Sequence, residues 1–261
     1  IQAGTVIENE EGEGFSTVAL VEQYCEMVYQ IYDDLRQNRQ VSPNKACKNL
    51  RKQLIRIQNS ANADIPVRTE AVFLPYKASM WDSLESVWKA ADADPDCDAY
   101  VIPIPYYDKN PDGSVREMHY EGDEYPDYVP VMDYRAYDLE KRHPDMVFIH
   151  NPYDNNNYVT SVLPCFYAEK LKQCTDLLVY IPYFILGEIS PDNDAAIEGM
   201  KHFCTTPGVF HANKVIVQSE DMRQVYIKVL TEITGERTRT YWEEKILGLG
   251  SPKVDKVMSI S

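Results

Sequence analysis

From Thr17 to Leu35 the apolar positions Val21, Tyr24, Val28, Ile31 and Leu35 recur at spacings of three and four, which predicts one amphipathic helix with Ser16 as its cap. After the break at Ser42-Pro43 a second helix is predicted from Asn44 to Gln58, with Leu50, Leu54 and Ile57 at helical spacing beneath its charged residues. Beyond residue 63 the period changes. Short, nearly continuous apolar runs at Ala71–Leu74, Ala99–Ile104, Met146–His150, Leu177–Ile181, Val215–Gln218 and Ile246–Leu249 predict strands buried on both faces. Helical connections are predicted between them at Trp81–Asp92, Tyr134–Arg142, Val162–Gln173, Asp194–Phe203 and Asp221–Leu230. This alternation predicts an α/β fold, a Rossmann-like open, mostly parallel sheet with helices on both faces and right-handed crossovers. The expected domains are a helical extension over residues 1–63 and the α/β domain over 64–261.

The connection between the second and third predicted strands is the longest. Its Pro111-Asp112-Gly113 turn, flanked by β-compatible residues from Tyr106 to Tyr120, predicts a hairpin. The same stretch imitates a calcium loop, with Asp108, Asn110, Asp112 and Gly113 in place. The imitation fails because His119 stands where a bidentate Glu is needed and Pro111 is ill-suited to the loop.

Charge narrows the functional classes. A net charge of −15 argues against a nucleic-acid partner, since phosphate contacts need basic surface. The distribution is uneven: Arg36, Arg39, Lys45, Lys48, Arg51, Lys52 and Arg56 lie in a stretch without an acid, whereas Asp92 to Asp145 holds 15 acids against 5 bases. The basic 36–57 segment reads either as a peripheral contact with an anionic membrane or as a solvated helix face. No apolar run approaches the roughly 20 residues that cross a bilayer, and the acidic first residues do not read as a signal peptide. The six scattered cysteines form no Cys-x-x-Cys pair and fit reduced thiols in a cytoplasm.

In an open parallel sheet, ligands occupy the crevice beyond the carboxyl ends of the strands. Those ends carry Pro75-Tyr76-Lys77-Ala78-Ser79, Pro105-Tyr106-Tyr107, His150-Asn151-Pro152-Tyr153-Asp154 with the asparagines to Asn157, Pro182-Tyr183, and Ser219. A rim drawn from 19 tyrosines suits a polyol or sugar-like ligand, although a tyrosine at a strand end also packs with its hydroxyl in water. His150 is the candidate general base with Asp154 orienting it; the competing reading is that Asn151, Asp154 and the later asparagines satisfy turn backbone groups. Lys77, Ser79, Asn151, Tyr153, Tyr180, Tyr183 and Ser219 are candidate substrate-binding residues, Ser219 being first a helix cap with a phosphate there as a secondary role. His202, Cys204 and His211 have ligand chemistry but match no zinc spacing, and the dinucleotide, Walker, esterase and zinc-protease signatures are missing from the sequence.

Three segments carry more than spacing. Ala71–Trp81, His143–Asp154 and Leu178–Phe184, together with the final Gly250-Ser251-Pro252-Lys253-Val254-Asp255, resemble the N-terminal half of bacterial CDP-glycerol glycerophosphotransferase-like proteins over nearly the whole chain. The resemblance implies one half of a GT-B architecture, the acceptor-side domain of a transferase acting in teichoic-acid or other cell-wall biosynthesis. It implies transfer of glycerol phosphate from CDP-glycerol to a polymer acceptor at the cytoplasmic membrane face, with no cofactor and no bound metal. Gly250 to Asp255 is then expected to be the hinge into a C-terminal donor domain, and the chain, which starts at Ile1 without an initiator Met, to be part of a larger protein that is inactive without that domain. One departure stands out. The polymerases place His-Gly-Thr-Pro where this chain has Tyr180-Ile181-Pro182-Tyr183. Either His150 takes the role of base, or the acceptor differs, or the chain has no transferase activity. The alternative outside this family is a non-catalytic glycan- or protein-binding module.

Overall fold

The computed structural model describes residues 2–12, 14–65 and 67–259, and in it the helical period of the first part of the sequence becomes α1 (Gln2–Glu11), α2 (Ser16–Arg36) and α3 (Pro43–Asp64). These belong to one unit, Ile1–Val67. Phe15, and not Ser16, stands at the N-cap of α2. Ser16 is the first helical residue, and its hydroxyl donates to the Asp64 carboxylate at 2.6 Å. Pro43 opens α3, where its missing N–H costs nothing. Buried Gln53 donates to the Leu20 carbonyl at 3.0 Å and ties the two long helices together. Gln53 therefore takes the inner line between Leu50 and Ile57, and Leu54, expected beneath the charges, faces water.

The second unit, Arg68–Ser261, holds the alternating part. It starts with β1 (Thr69–Leu74), α4 (Glu85–Asp92), β2 (Cys97–Val101), β3 (Tyr106–Lys109), β4 (Val115–His119), α5 (Leu139–Arg142) and β5 (Met146–Ile149). It continues with β6 (Thr160–Val162), α6 (Ala168–Leu171), β7 (Leu177–Tyr180), α7 (Asp194–Cys204), α8 (Pro207–His211), β8 (Lys214–Val217), α9 (Glu220–Thr234), α10 (Arg239–Lys245), β9 (Ile246–Gly248) and α11 (Pro252–Met258). Six strands form a sheet in the order β2-β1-β5-β7-β8-β9, every pairing parallel. The Rossmann-like expectation holds.

Alternation along the strands explains the unbroken apolar runs. Val72, Leu74, Val147, Ile149, Leu178, Tyr180, Val215 and Val217 point into one core, with the buried side of α9 and Trp242 of α10. Ala71, Phe73, Phe148, Val179 and Ile181 point the other way, against Trp81, Leu84 and Trp88. There the rings of Phe73 and Phe148 stack at 4.6 Å across the β1–β5 pair.

Two predicted helices shrink for local reasons. The Asp133 carboxylate accepts from the Arg135 N–H at 2.8 Å and holds a turn, so α5 begins only after Asp138, whose side chain accepts from the Lys141 N–H at 3.1 Å. Val162 is not helical: β6 pairs with β3, and Pro164 begins a 3₁₀ turn just after it. The predicted hairpin forms as β3 and β4, its Gly113 at φ +84° donating to the Asn110 carbonyl. With β6 these strands make a small antiparallel sheet. At the other end Gly250 adopts φ +105°, and the chain turns into α11, which is fastened to the region of α4 by Lys253–Asp82 at 2.5 Å, Lys256–Glu85 at 2.8 Å and Ser86–Asp255 at 2.7 Å.

Candidate functional site

The order β2-β1-β5 makes the space beyond the carboxyl ends of β1 and β5 the topological switch point, where open α/β sheets hold their ligands. Both loops there are rich in the residues singled out from sequence, but they divide into two regions of opposite character.

The first is a closed polar knot around His150. Its side chain is wholly buried. Nε2 accepts from the Tyr76 N–H at 3.0 Å, and Nδ1 lies 2.8 Å from Ser83 Oγ, whose own proton goes to the Met80 carbonyl at 2.8 Å. The proton of the imidazole therefore sits on Nδ1. Burial, reinforced by the Lys253 ammonium, pushes the imidazole down to about 3, so it is neutral across the physiological range. With both nitrogens engaged, His150 locks the loop after β1 to the end of β5 and turns no lone pair toward the crevice. Asp154, expected to orient it, does something else. Its residue is in the left-handed region at φ +48°, both carboxylate oxygens lie 3.1 Å from the Ala168 N–H at the start of α6, and no hydrogen bond joins it to His150. Burial raises this carboxyl to about 7. Asn151 is a turn residue, accepting from the Tyr153 N–H at 3.3 Å.

The second region opens outward from a buried base. Buried Tyr76 meets buried Tyr106 and half-buried Tyr183 edge-to-face, at 5.6 Å and 6.2 Å. The Lys77 ammonium stands 4.6 Å over the Tyr106 ring and 5.8 Å from that of Tyr76, and among the described residues it has no carboxylate partner. Glu121 holds this corner by accepting from Tyr106 Oη at 2.5 Å and from the Ala78 N–H at 2.8 Å. The exposed Ser79 hydroxyl lies on the 3₁₀ turn Ala78–Ser83. Next to the Tyr183 ring is a cleft of about 520 Å³ lined by Tyr153, Asn156, Asn157, Tyr183, His202 and Thr206, among others.

Thr206 was missed from sequence. It stands at the N-cap of α8, yet its hydroxyl makes no cap bond. The reason is local: the Gly208 N–H, at the second helical position where a cap would bond, goes to the Pro152 carbonyl at 2.9 Å. Gly208 is required for that approach, since a Cβ there would come within 3.0 Å of Pro152 Cα. Thr206 is only 4 % exposed, and its hydroxyl oxygen, buried in the wall of the cleft, has no hydrogen-bond partner among the described residues. The only advance signal was the Thr-Pro pair itself.

Two further candidates lie elsewhere. Tyr180 is fully buried in the core, its hydroxyl unpaired and its acidity strongly suppressed by burial, so it supports the floor of the site from beneath the surface. Ser219 caps α9, accepting from the Met222 N–H at 3.1 Å, and its hydroxyl donates to Glu188, whose other oxygen accepts from Gln218 Nε2 at 3.0 Å. A carboxylate of the chain itself thus fills the place considered for a phosphate. His202, Cys204 and His211 do not converge as metal ligands. The described residues bring together one such group, Asp108, Glu117 and His119 on the hairpin, where Arg116 already pairs with Asp108 at 2.8 Å.

No family model, curated protein or solved structure matches this chain. What the site can bind therefore follows from its geometry.

Proposed function

We propose that the Arg68–Ser261 unit is the acceptor-side domain of a glycerophosphotransferase-like enzyme of GT-B type. In this reading the unit holds the glycerol-phosphate end of a cell-wall or surface polymer at the inner face of the plasma membrane, and a facing C-terminal domain holds CDP-glycerol. The observation that carries it is Lys77: a cation without a carboxylate partner among the described residues, seated on two tyrosine rings at the switch point of a chain with net charge −15. A polymer end offers a phosphodiester anion and free hydroxyls. Lys77 supplies the charge for the first; Tyr153, Tyr183, Asn156, Asn157 and Thr206 supply donors and acceptors for the second. Transfer joins an acceptor hydroxyl oxygen to the glycerol-bearing phosphorus of CDP-glycerol, CMP leaves, and the hydroxyl proton passes to a base. His150 is not that base. His202, an exposed imidazole on the lining of the cleft, is the histidine placed to take the proton.

Calorimetric titration of the chain with glycerol 3-phosphate and with CDP-glycerol tests this reading. Glycerol 3-phosphate is expected to bind, and Lys77→Ala to weaken it by about tenfold to a hundredfold, the worth of a charge-assisted contact. Tighter binding of CDP-glycerol than of glycerol 3-phosphate would overturn the placement of donor and acceptor.

The sealing of His150 favours a second reading, a non-catalytic glycan-binding module built on the same cleft. If glycerol-phosphate oligomers bind but no transfer occurs once a donor domain is supplied, the second reading is the correct one.

A further inference from the structure

The helical unit Ile1–Val67 carries a surface that the cleft does not explain. All seven basic residues from Arg36 to Arg56 are exposed, and the stretch from residue 36 to 63 contains no acid. Arg39 pairs with Asp34 at 2.9 Å, whereas Arg36, Lys45, Lys48, Arg51, Lys52 and Arg56 have no carboxylate partner among the described residues. On α3 these charges gather on one side. Gln53 and the half-buried Leu50 and Ile57 mark the inner side of the helix. On the opposite side Lys48, Arg51, Lys52 and Ile55 follow one another at spacings of three, one and three, so that Ile55 lies one turn beyond Arg51 and Lys52. Ile55 is 52 % exposed, a large apolar side chain set among cations. Tyr29, Tyr32 and Leu35 in the last turns of α2 are likewise open to water. An ordinary solvated helix face mixes both signs of charge and does not centre on isoleucine.

We infer that this face of α3 binds the surface of an anionic lipid bilayer. Cations whose aliphatic stems surround an apolar residue match the boundary between headgroups and acyl chains, where ammonium and guanidinium groups meet lipid phosphates and Ile55 enters below them. The chain lies on the bilayer; among the described residues no helix is long and apolar enough to cross it. Charge complementarity selects an anionic surface, and the exposed Ile55 among the cations selects lipid over nucleic acid, whose phosphates offer nothing to bury it against. This attachment is independent of what the cleft binds.

The test is co-sedimentation of the full chain with vesicles of phosphatidylcholine alone, or of phosphatidylcholine and phosphatidylglycerol in equal parts. Binding is expected with the anionic vesicles only and should fall as salt rises. Each basic residue near such a surface strengthens binding about fivefold, so joint Lys48→Gln, Arg51→Gln and Lys52→Gln changes should weaken it on the order of a hundredfold. Ile55→Ser should weaken it about tenfold and leave the salt dependence unchanged. These side chains are all exposed, so circular dichroism should match the parent. Failure to bind anionic vesicles, binding unaffected by the triple change, or equal binding to duplex DNA would each overturn the inference.

Discussion

The knot around His150 and the cleft beside Tyr183 draw on the same loops, yet one is closed and the other open. In the knot every polar atom is matched: Nε2 with the Tyr76 N–H, Nδ1 with Ser83, Ser83 with Met80. In the cleft wall and its rim, among the described residues, the Thr206 hydroxyl has no hydrogen-bond partner and the Lys77 ammonium no carboxylate partner. Residue type does not separate the two regions, since histidine is the usual first choice for chemistry and threonine is not. What separates them is satisfaction. A matched buried group holds the fold; an unmatched one costs stability, and only where it borders a cleft, as Thr206 does, can a ligand relieve that cost.

The largest effect should come from breaking the closed side. His150→Ala leaves the Tyr76 N–H and the Ser83 hydroxyl without their partner and opens a void at the switch point, and it should destabilise the chain by about 3–5 kcal/mol in urea unfolding. Loss of glycerol 3-phosphate binding with unchanged stability would place His150 in the cleft and erase the contrast. Asp154 lies between the two regions, buried but matched only by one N–H. Because burial raises its carboxyl from 3.8 to about 7, the unfolded chain releases that proton first as pH rises. Stability from this group is present below about pH 4 and is lost as pH climbs to about 7. Asp154→Asn, which keeps an acceptor for the Ala168 N–H, should remove that decline and gain about 2 kcal/mol at pH 8, read from unfolding midpoints across pH. A pH profile identical to the parent would mean that the carboxylate is solvated and belongs to the open side.

The fold was largely legible in the sequence because strands buried on both faces leave continuous apolar runs that nothing else in this chain imitates. Each of the six sheet strands lies within its predicted position to a few residues. Elements whose limits depend on local side-chain bonds were less legible: α2 starts one residue early, at Ser16 with Phe15 as its N-cap, and Asp133 and Asp138 decide where α5 starts. Of the site, what the sequence shows of Lys77, Tyr153 and Tyr183 is that each follows a strand, which is a topological property and puts them at the carboxyl edge of the sheet. The roles of His150 and Asp154 were not legible. Whether a polar side chain points into a crevice or back into a backbone N–H depends on partners that are distant in sequence, such as Ser83 for His150 and Ala168 for Asp154.

Thr206 gives the smallest and most discriminating test. Thr206→Val replaces a hydroxyl by a methyl of nearly the same volume, so packing is kept and only the polar group is changed. If that hydroxyl is unmatched, removing it relieves a buried polar atom, and stability should rise by about 1 kcal/mol. Binding of a hydroxyl-rich ligand should fall about tenfold at the same time, since the cleft loses a donor that no neighbouring side chain replaces. A structural threonine would show the reverse: a stability loss with no change in binding, the behaviour expected if its hydroxyl capped α8 as its position suggests.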